Sequence, residues 1–346
     1  MANLPAQWQY RQYSGHYRQP MHQISVLLSP HCYAGSVTGF IDILLFANQL
    51  AERKGQAALF GWTLCSQASE PVQSASGILL HAQGDWQLAG CADTIIVPPL
   101  AYSSLKQFQA RLASETVLQQ QLSAWHAAGK QLLSFCTGIP LLAESGVLNE
   151  RPATISWWLT TWFRNRYPRV RLQPYATMTT SPGLLCGGAS TSYIELALHL
   201  VRQYGGQEYA LACSRLLLTG PQHGSQAPYM TMQSFAGHDD ALVLRCQYWL
   251  QDNMAAPFDL ATLAAHARSS SRTVIRRFNQ VLGVSPLRYL QQLRLHAARR
   301  WLEGSNLPLE QIIQQLGYSD SASFRRLFQR ELHCTPAAYR KQFQPT

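Results

Sequence analysis

Two groups of residues in this 346-residue chain have types and spacings suited to chemistry. The first is a set of arginines held in a repeat. Residues 263–289 read LAAHARSSSRTVIRRFNQVLGVSPLRY, and residues 313–339 read IQQLGYSDSASFRRLFQRELHCTPAAY. Fifty residues apart, Arg276 matches Arg326, Phe278 matches Phe328, Ser285-Pro286 matches Thr335-Pro336, and Tyr289 matches Tyr339. Each copy has the pattern of a helix, a tight turn, a second basic helix and a capped third helix, a unit that fits the major groove of DNA. Arginine offers a rigid fork of donors to guanine or to phosphate. The second group is a thiol, Cys136, in Phe135-Cys136-Thr137-Gly138, where an apolar strand runs into a helix. Free N–H groups and the helix dipole at such a place favour thiolate. A comparable turn, Cys186-Gly187-Gly188-Ala189-Ser190, carries glycines that let backbone approach whatever fills a cleft. An inert buried cysteine and a plain strand-to-helix turn are the alternatives at these two places.

The elements that must position the arginines are legible. Asp259 suits the N-cap of a helix over 260–267, whose Leu260, Leu263, Ala264 and Ala267 face inward. Ser269-Ser270-Ser271 turns the chain into a first recognition helix over about 271–282. Its core face is Val274, Phe278 and Val281, and Arg272, Thr273, Ile275, Arg276 and Gln280 face away. Gly283 ends that helix, and Ser285-Pro286 opens a connecting helix over about 286–303. Its apolar stripe is Leu287, Leu290, Leu293, Ala297, Ala298, Trp301 and Leu302. A second recognition helix over about 320–332 buries Phe324, Leu327, Phe328 and Leu332, leaving Ser321, Ala322, Arg325, Arg326 and Arg330 outward. Charge follows the motif: residues 257–346 hold 13 Lys/Arg against 5 Asp/Glu, while residues 1–256 hold 15 against 13. A basic stretch coinciding with a groove-reading motif points to double-stranded DNA.

The thiol belongs to a different texture. From Gln23 onward, strands alternate with helices: strands at Ile24–Ser29, Ala58–Cys65, Asp93–Val97, Gln131–Phe135 and Leu184–Cys186, with helices at Ser36–Arg53, Ser114–Ala128, Ile139–Ser145, 157–166 and Thr191–Gln203. This alternation predicts an α/β domain with a mostly parallel sheet covered on both faces, whose ligands bind beyond the carboxyl ends of the strands. A tail over 1–22, a domain over 23–220, a linker over 221–240 and an all-α domain over 241–346 complete the expected order. The eight cysteines have no metal-ligand spacing, so no metal and no cofactor are expected. The absence of a signal-peptide pattern and of a membrane-length apolar run leads to an expected cytoplasmic, nucleoid-associated protein with reduced thiols and no membrane partner.

The stretches DTIIVPP, LLSFCTGIPLLAESGVLNERPATISWW, RYPRVRL and ASTSYIELALHLV make residues 23–220 resemble the DJ-1/PfpI branch of the class I glutamine-amidotransferase-like fold, a flavodoxin-like sandwich. Residues 240–346 resemble the AraC/XylS DNA-binding domain. Together they are similar to the two-domain GlxA-type transcriptional regulators along almost the whole chain. By this resemblance Arg272, Ile275 and Arg276 match groove-facing positions of the first unit, and Ser321, Ala322, Arg325 and Arg326 match those of the second.

Family enzymes pair the elbow cysteine with a histidine that here falls at Ser156, in Ala153-Thr154-Ile155-Ser156-Trp157, and with an acid that falls at Ser36. Asp42 is expected to cap or pack. Serine cannot serve as a base at neutral pH, so no catalytic residue is expected. The resemblance instead implies a sensor pocket for a small polar metabolite, an amino acid or a quaternary amine, with Cys136, Thr137, Ser156, Trp157, Trp158, Gly187 and Gly188 as its candidate lining. Trp158 and Trp162, four apart, could wall a cation if they share one helix face; core or interface packing is the other reading. The resemblance further implies a homodimer, RNA polymerase as a partner and activation of transcription. A redox or electrophile sensor acting through Cys136, and a cysteine amidase or hydrolase, are the competing functions.

Overall fold

The computed structural model describes residues 21–219, 226, 232–235 and 238–344. Most of the expected tail and much of the expected linker therefore lie outside the described residues. The first domain is built on a six-stranded sheet in the order Phe60–Cys65, His22–Leu27, Thr94–Val97, Gln131–Phe135, Leu184–Gly187, Met178–Ser181. All pairings are parallel except the last, where Met178–Ser181 runs antiparallel to Leu184–Gly187. The central strand Thr94–Val97 is buried at every residue, as expected for a strand covered on both faces. Helix Ala34–Arg53 buries Val37, Phe40, Ile43, Leu44 and Ala47 in the domain core. By length and composition alone this helix could cross a membrane, yet that stripe packs inside the domain.

Differences from the sequence reading are local. Residues 157–166 form two elements, a 3₁₀ turn at Trp157–Leu159 and an α-helix at Thr160–Arg166. Helices Leu105–Ser114 and Gln207–Leu216 were not anticipated. Asp42 is exposed and lies inside helix Ala34–Arg53, so it neither packs nor caps an end of it.

The C-terminal part has two cores. The first gathers Val243, Cys246 and Leu250 of helix Ala241–Asp252 with Leu263, Val274, Phe278 and Leu282. The second gathers Ile312, Ile313, Leu316, Phe324, Leu327 and Phe328. The connecting helix Pro286–Gly304 serves both, giving Tyr289, Leu290 and Leu293 to one and Leu295, Ala298 and Leu302 to the other. Two expectations shift by one position: Leu282 rather than Val281 is fully buried, and Leu287 is exposed. Phe235, placed in the linker by sequence, packs into the first of these cores.

Candidate functional site

Each recognition helix is started by a side-chain cap. Ser270 accepts from the Thr273 amide, and Asp320 accepts from the amides of Ala322 and Ser323. Such caps contribute about 1 kcal/mol each. With Val274, Phe278 and Leu282 turned inward, helix Ser271–Leu282 presents Arg272, Ile275 and Arg276 to solvent, with Thr273 half-buried. Helix Ser321–Leu332 buries Phe324, Leu327, Phe328 and Leu332 and presents Ser321, Ala322, Arg325 and Arg326. Arg272 and Arg276 have no partner among the described residues. Arg325 donates to Glu310 at 2.7 Å, and Arg326 donates to Ser323 Oγ at 3.0 Å and lies 3.6 Å from Asp320. Beside them, Arg325, Arg326, Gln329 and Arg330 line a groove of about 460 Å³ with Thr335 and Pro336, the residues that open the last helix. Three arginines around one groove form a surface suited to phosphate.

The two units are tied together. Glu331, nearly buried on the second recognition helix, accepts both guanidinium nitrogens of Arg288 at the start of the connecting helix. Gln292 and Arg330 also donate to it. Two first-domain side chains that reach this assembly are Arg164 and Tyr175. Arg164 donates to the Leu282 carbonyl at 3.0 Å, at the end of the first recognition helix. Tyr175 packs against the core of the second unit and comes within hydrogen-bonding reach of Arg288.

At the strand-to-helix elbow, Cys136 adopts a left-handed backbone (φ 53°), a strained conformation that marks a turn held by its surroundings. Ser156 Oγ donates to Cys136 Sγ at 3.0 Å, so the two positions singled out in sequence do meet. Burial pushes the Cys136 pKa up, outweighing the hydrogen bonds from Ser156 and Thr137 that pull it down. Of the two readings of this turn, desolvation favours the inert buried cysteine over the thiolate. Thr137 is buried and donates to the Leu100 carbonyl at 2.6 Å. Ser36 is likewise committed, donating to the Tyr33 carbonyl at 2.7 Å.

The glycines divide. A Cβ on Gly187 would meet Ser192, Leu196 and Phe135 within 2.9 Å, so this glycine serves close packing of strand and helix rather than ligand approach. A Cβ on Gly188 would meet Gln226 Nε2 at 2.9 Å and the oxygens of Ala176 and Thr154 at 3.1 Å. Trp157 and Trp158 are half-buried and meet edge-to-face at 5.5 Å. Trp162 packs instead on Phe108, Phe163 and Tyr167. Trp158 lies in the 3₁₀ turn and Trp162 in the helix, and both pack against the domain core, as the packing reading of these residues has it. Sequence reasoning missed Gln226, Thr154, Arg164 and Tyr175. Gln226 is buried inside a polar run that reads as linker, where no hydrophobic period could have revealed it.

Residues 263–342 match the family model described as "Helix-turn-helix domain". The HTH-type transcriptional regulator GbdR of Pseudomonas aeruginosa is 24% identical over 314 residues, covering 90% of this chain and 81% of that protein. The HTH-type transcriptional regulator GlxA of Rhizobium meliloti is 24% identical, covering 62% of this chain and 66% of that one. A crystal structure of an AraC family transcriptional regulator from Pseudomonas putida aligns at 25% identity with a TM-score of 0.49, covering 57% of this chain and 99% of that one. The helix-turn-helix match over residues 263–342 and relatives that span both domains make the chain similar to two-domain HTH-type transcriptional regulators.

Proposed function

We propose that the chain reads a specific double-stranded DNA site through both units at once, under control of a small polar metabolite bound by its first domain. The observation that carries this reading is the pair of capped helices presenting arginines outward from two cores joined by one helix. Arg272, Thr273, Ile275 and Arg276 enter one major groove, and Ser321, Ala322, Arg325 and Arg326 the next. Arginine reads guanine O6/N7, while Ile275 and Ala322 suit thymine methyls. The groove at Thr335 and Pro336 grips phosphate.

The first domain acts as a sensor and not as an enzyme. The described side-chain partners of the Cys136 thiol are the hydroxyls of Ser156 and Thr137, and a hydroxyl cannot take a thiol proton at neutral pH. Within this reading, residues 23–220 sense and dimerise, residues 241–346 bind DNA, and the protein works in the cytoplasm at the nucleoid as a homodimeric activator contacting RNA polymerase. Footprinting of the full chain on a duplex selected from a random pool tests the DNA arm. Two protected major grooves about 10 bp apart are expected, and protection of a single groove overturns simultaneous docking.

A further inference from the structure

Gln226 is the one described residue between Thr219 and Met232, and it is 3% exposed. Its backbone amide donates to the Tyr175 carbonyl at 2.8 Å. Its side-chain Nε2 sits among four oxygens: Pro174 O at 2.8 Å, Ile155 O at 2.9 Å, and Thr154 Oγ1 and Ala176 O at 3.3 Å. Thr154 donates its own proton to Ala176 O at 2.7 Å, which leaves its lone pairs for the occupant. Gly188 forms one side, and a side chain there would fill the space. Ile155 leads directly into Ser156, which touches Cys136, so the cradle adjoins the elbow.

The match between cradle and occupant is incomplete. A carboxamide nitrogen brings two N–H donors to four oxygens. Its other end, Oε1, is buried and has no partner among the described residues. A primary ammonium brings three donors and a full charge, and a guanidinium brings five. Either satisfies more of these oxygens than the amide does, and charge-assisted bonds are about twice as strong as neutral ones. A quaternary ammonium brings no N–H donor at all.

We propose that this oxygen cradle is the subsite for the effector's N–H cation, an ammonium or guanidinium group, and that Gln226 is a competitor for it carried by the chain itself. The inference rests on the sensor reading of the first domain and narrows the effector class from amino acids or quaternary amines to N–H cations. Displacement reaches the DNA-binding half, because Pro174 and Ala176 flank Tyr175, which packs on the second unit and approaches Arg288.

The test uses the full chain, its Gln226→Ala and Gln226→Glu variants, and two probes of matched shape, ethanolamine and choline. Removing a competitor raises apparent affinity by the reciprocal of the fraction of molecules it had left open. Melting temperature is followed against probe concentration, since a ligand that binds only the folded state stabilises it. Ethanolamine should act on Gln226→Ala at a concentration at least about tenfold lower than on the unaltered chain, with choline weaker by a similar factor. Gln226→Glu should behave like Gln226→Ala, since a carboxylate is repelled by four oxygens. Thr154→Val in the Gln226→Ala background should weaken the ethanolamine response. Equal ethanolamine responses with and without Gln226, equal responses to the two amines, or no response in any chain overturns the proposal. A lower melting temperature in both Gln226 variants with unchanged amine response assigns Gln226 a packing role and likewise overturns it. Binding to the selected duplex, measured in parallel, separates the two readings: its loss in every chain counts against DNA regulation, whatever the amines do.

Discussion

The two helix-turn-helix units share a backbone plan and differ in what holds their arginines. At matched positions the first recognition helix is capped by Ser270 and the second by Asp320. Serine is neutral and Arg276 has no partner among the described residues, whereas Asp320 lies 3.6 Å from Arg326. Leu260 in the first unit corresponds to Glu310 in the second, and Glu310 holds Arg325. Val281 corresponds to Glu331, which receives Arg288, Gln292 and Arg330. The first unit therefore meets DNA with bare cations, while the second must exchange intramolecular partners for phosphate or base. A cap and a groove-reading arginine compete for the same charge when the cap is acidic.

The sharpest way to break this comparison is to remove the matched arginines singly. Arg276→Ala should weaken binding to the selected duplex by about 1–3 kcal/mol, roughly 5- to 150-fold. Arg326→Ala should fall at the lower end, about 1 kcal/mol, because the lost contact was partly offset by the bond to Ser323 and the approach to Asp320. Fluorescence anisotropy at fixed salt measures both. Equal losses would show that the acidic cap exerts no hold on Arg326, and unchanged binding in both would remove these helices from the groove.

How far the sequence carried depends on the kind of contact. The second unit's Phe324, Leu327, Phe328 and Leu332 were readable because a helical period and a fifty-residue repeat reinforce each other. Gly283 and Ser285-Pro286 were readable because terminators and caps have few substitutes. A mostly parallel sheet was implied by alternation and resemblance, while its strand order was not. What escaped was long-range and polar: Arg164 reaching Leu282, Glu331 gathering three donors, and Gln226 entering the cradle. A buried polar side chain follows no period, since its partners come from distant segments and are mostly backbone oxygens. At Cys136 the turn left thiolate and inert buried thiol both open, and burial, a property of the assembled domain and not of the turn, favours the second.

The helix ends extend the comparison to stability. Both recognition helices finish on a left-handed residue, Gly283 at φ 69° and His333 at φ 58°. Gly283 also lies under Arg164, whose guanidinium would clash with an added Cβ. Gly283→Ala should lower stability by about 1–2 kcal/mol or more, since backbone strain and the clash act together. In the second unit glycine should help: His333→Gly relieves the left-handed strain and should raise stability by several tenths to about 1 kcal/mol. Denaturant unfolding of the full chain, read by a probe in the C-terminal domain, gives both signs. A stabilising Gly283→Ala would mean that Arg164 moves aside freely and that the contact between the domains is loose.

The smallest effect is the most specific. Glu310→Gln keeps size and hydrogen-bonding capacity but removes the charge that holds Arg325 at 2.7 Å. Both partners are substantially exposed, 49% for Arg325 and 67% for Glu310, so the pair is worth only about 0.2–1 kcal/mol. The expected outcome is a gain in DNA affinity of at most about fivefold, with little change in stability. The gain should shrink as salt rises, because screening weakens the Glu310 attraction that the substitution removes. Placing an acid at the matched position of the first unit, Leu260→Glu, is the mirror experiment. Leu260 is only partly buried against the first unit's core, and Arg325 has Ile275 as its counterpart. The new carboxylate would therefore find no arginine at the matched position, and DNA affinity should fall only through added negative charge near the phosphates. If Glu310→Gln leaves affinity unchanged at low salt, Arg325 is not in the groove, and the second unit is read through Arg326, Ser321 and Ala322 alone.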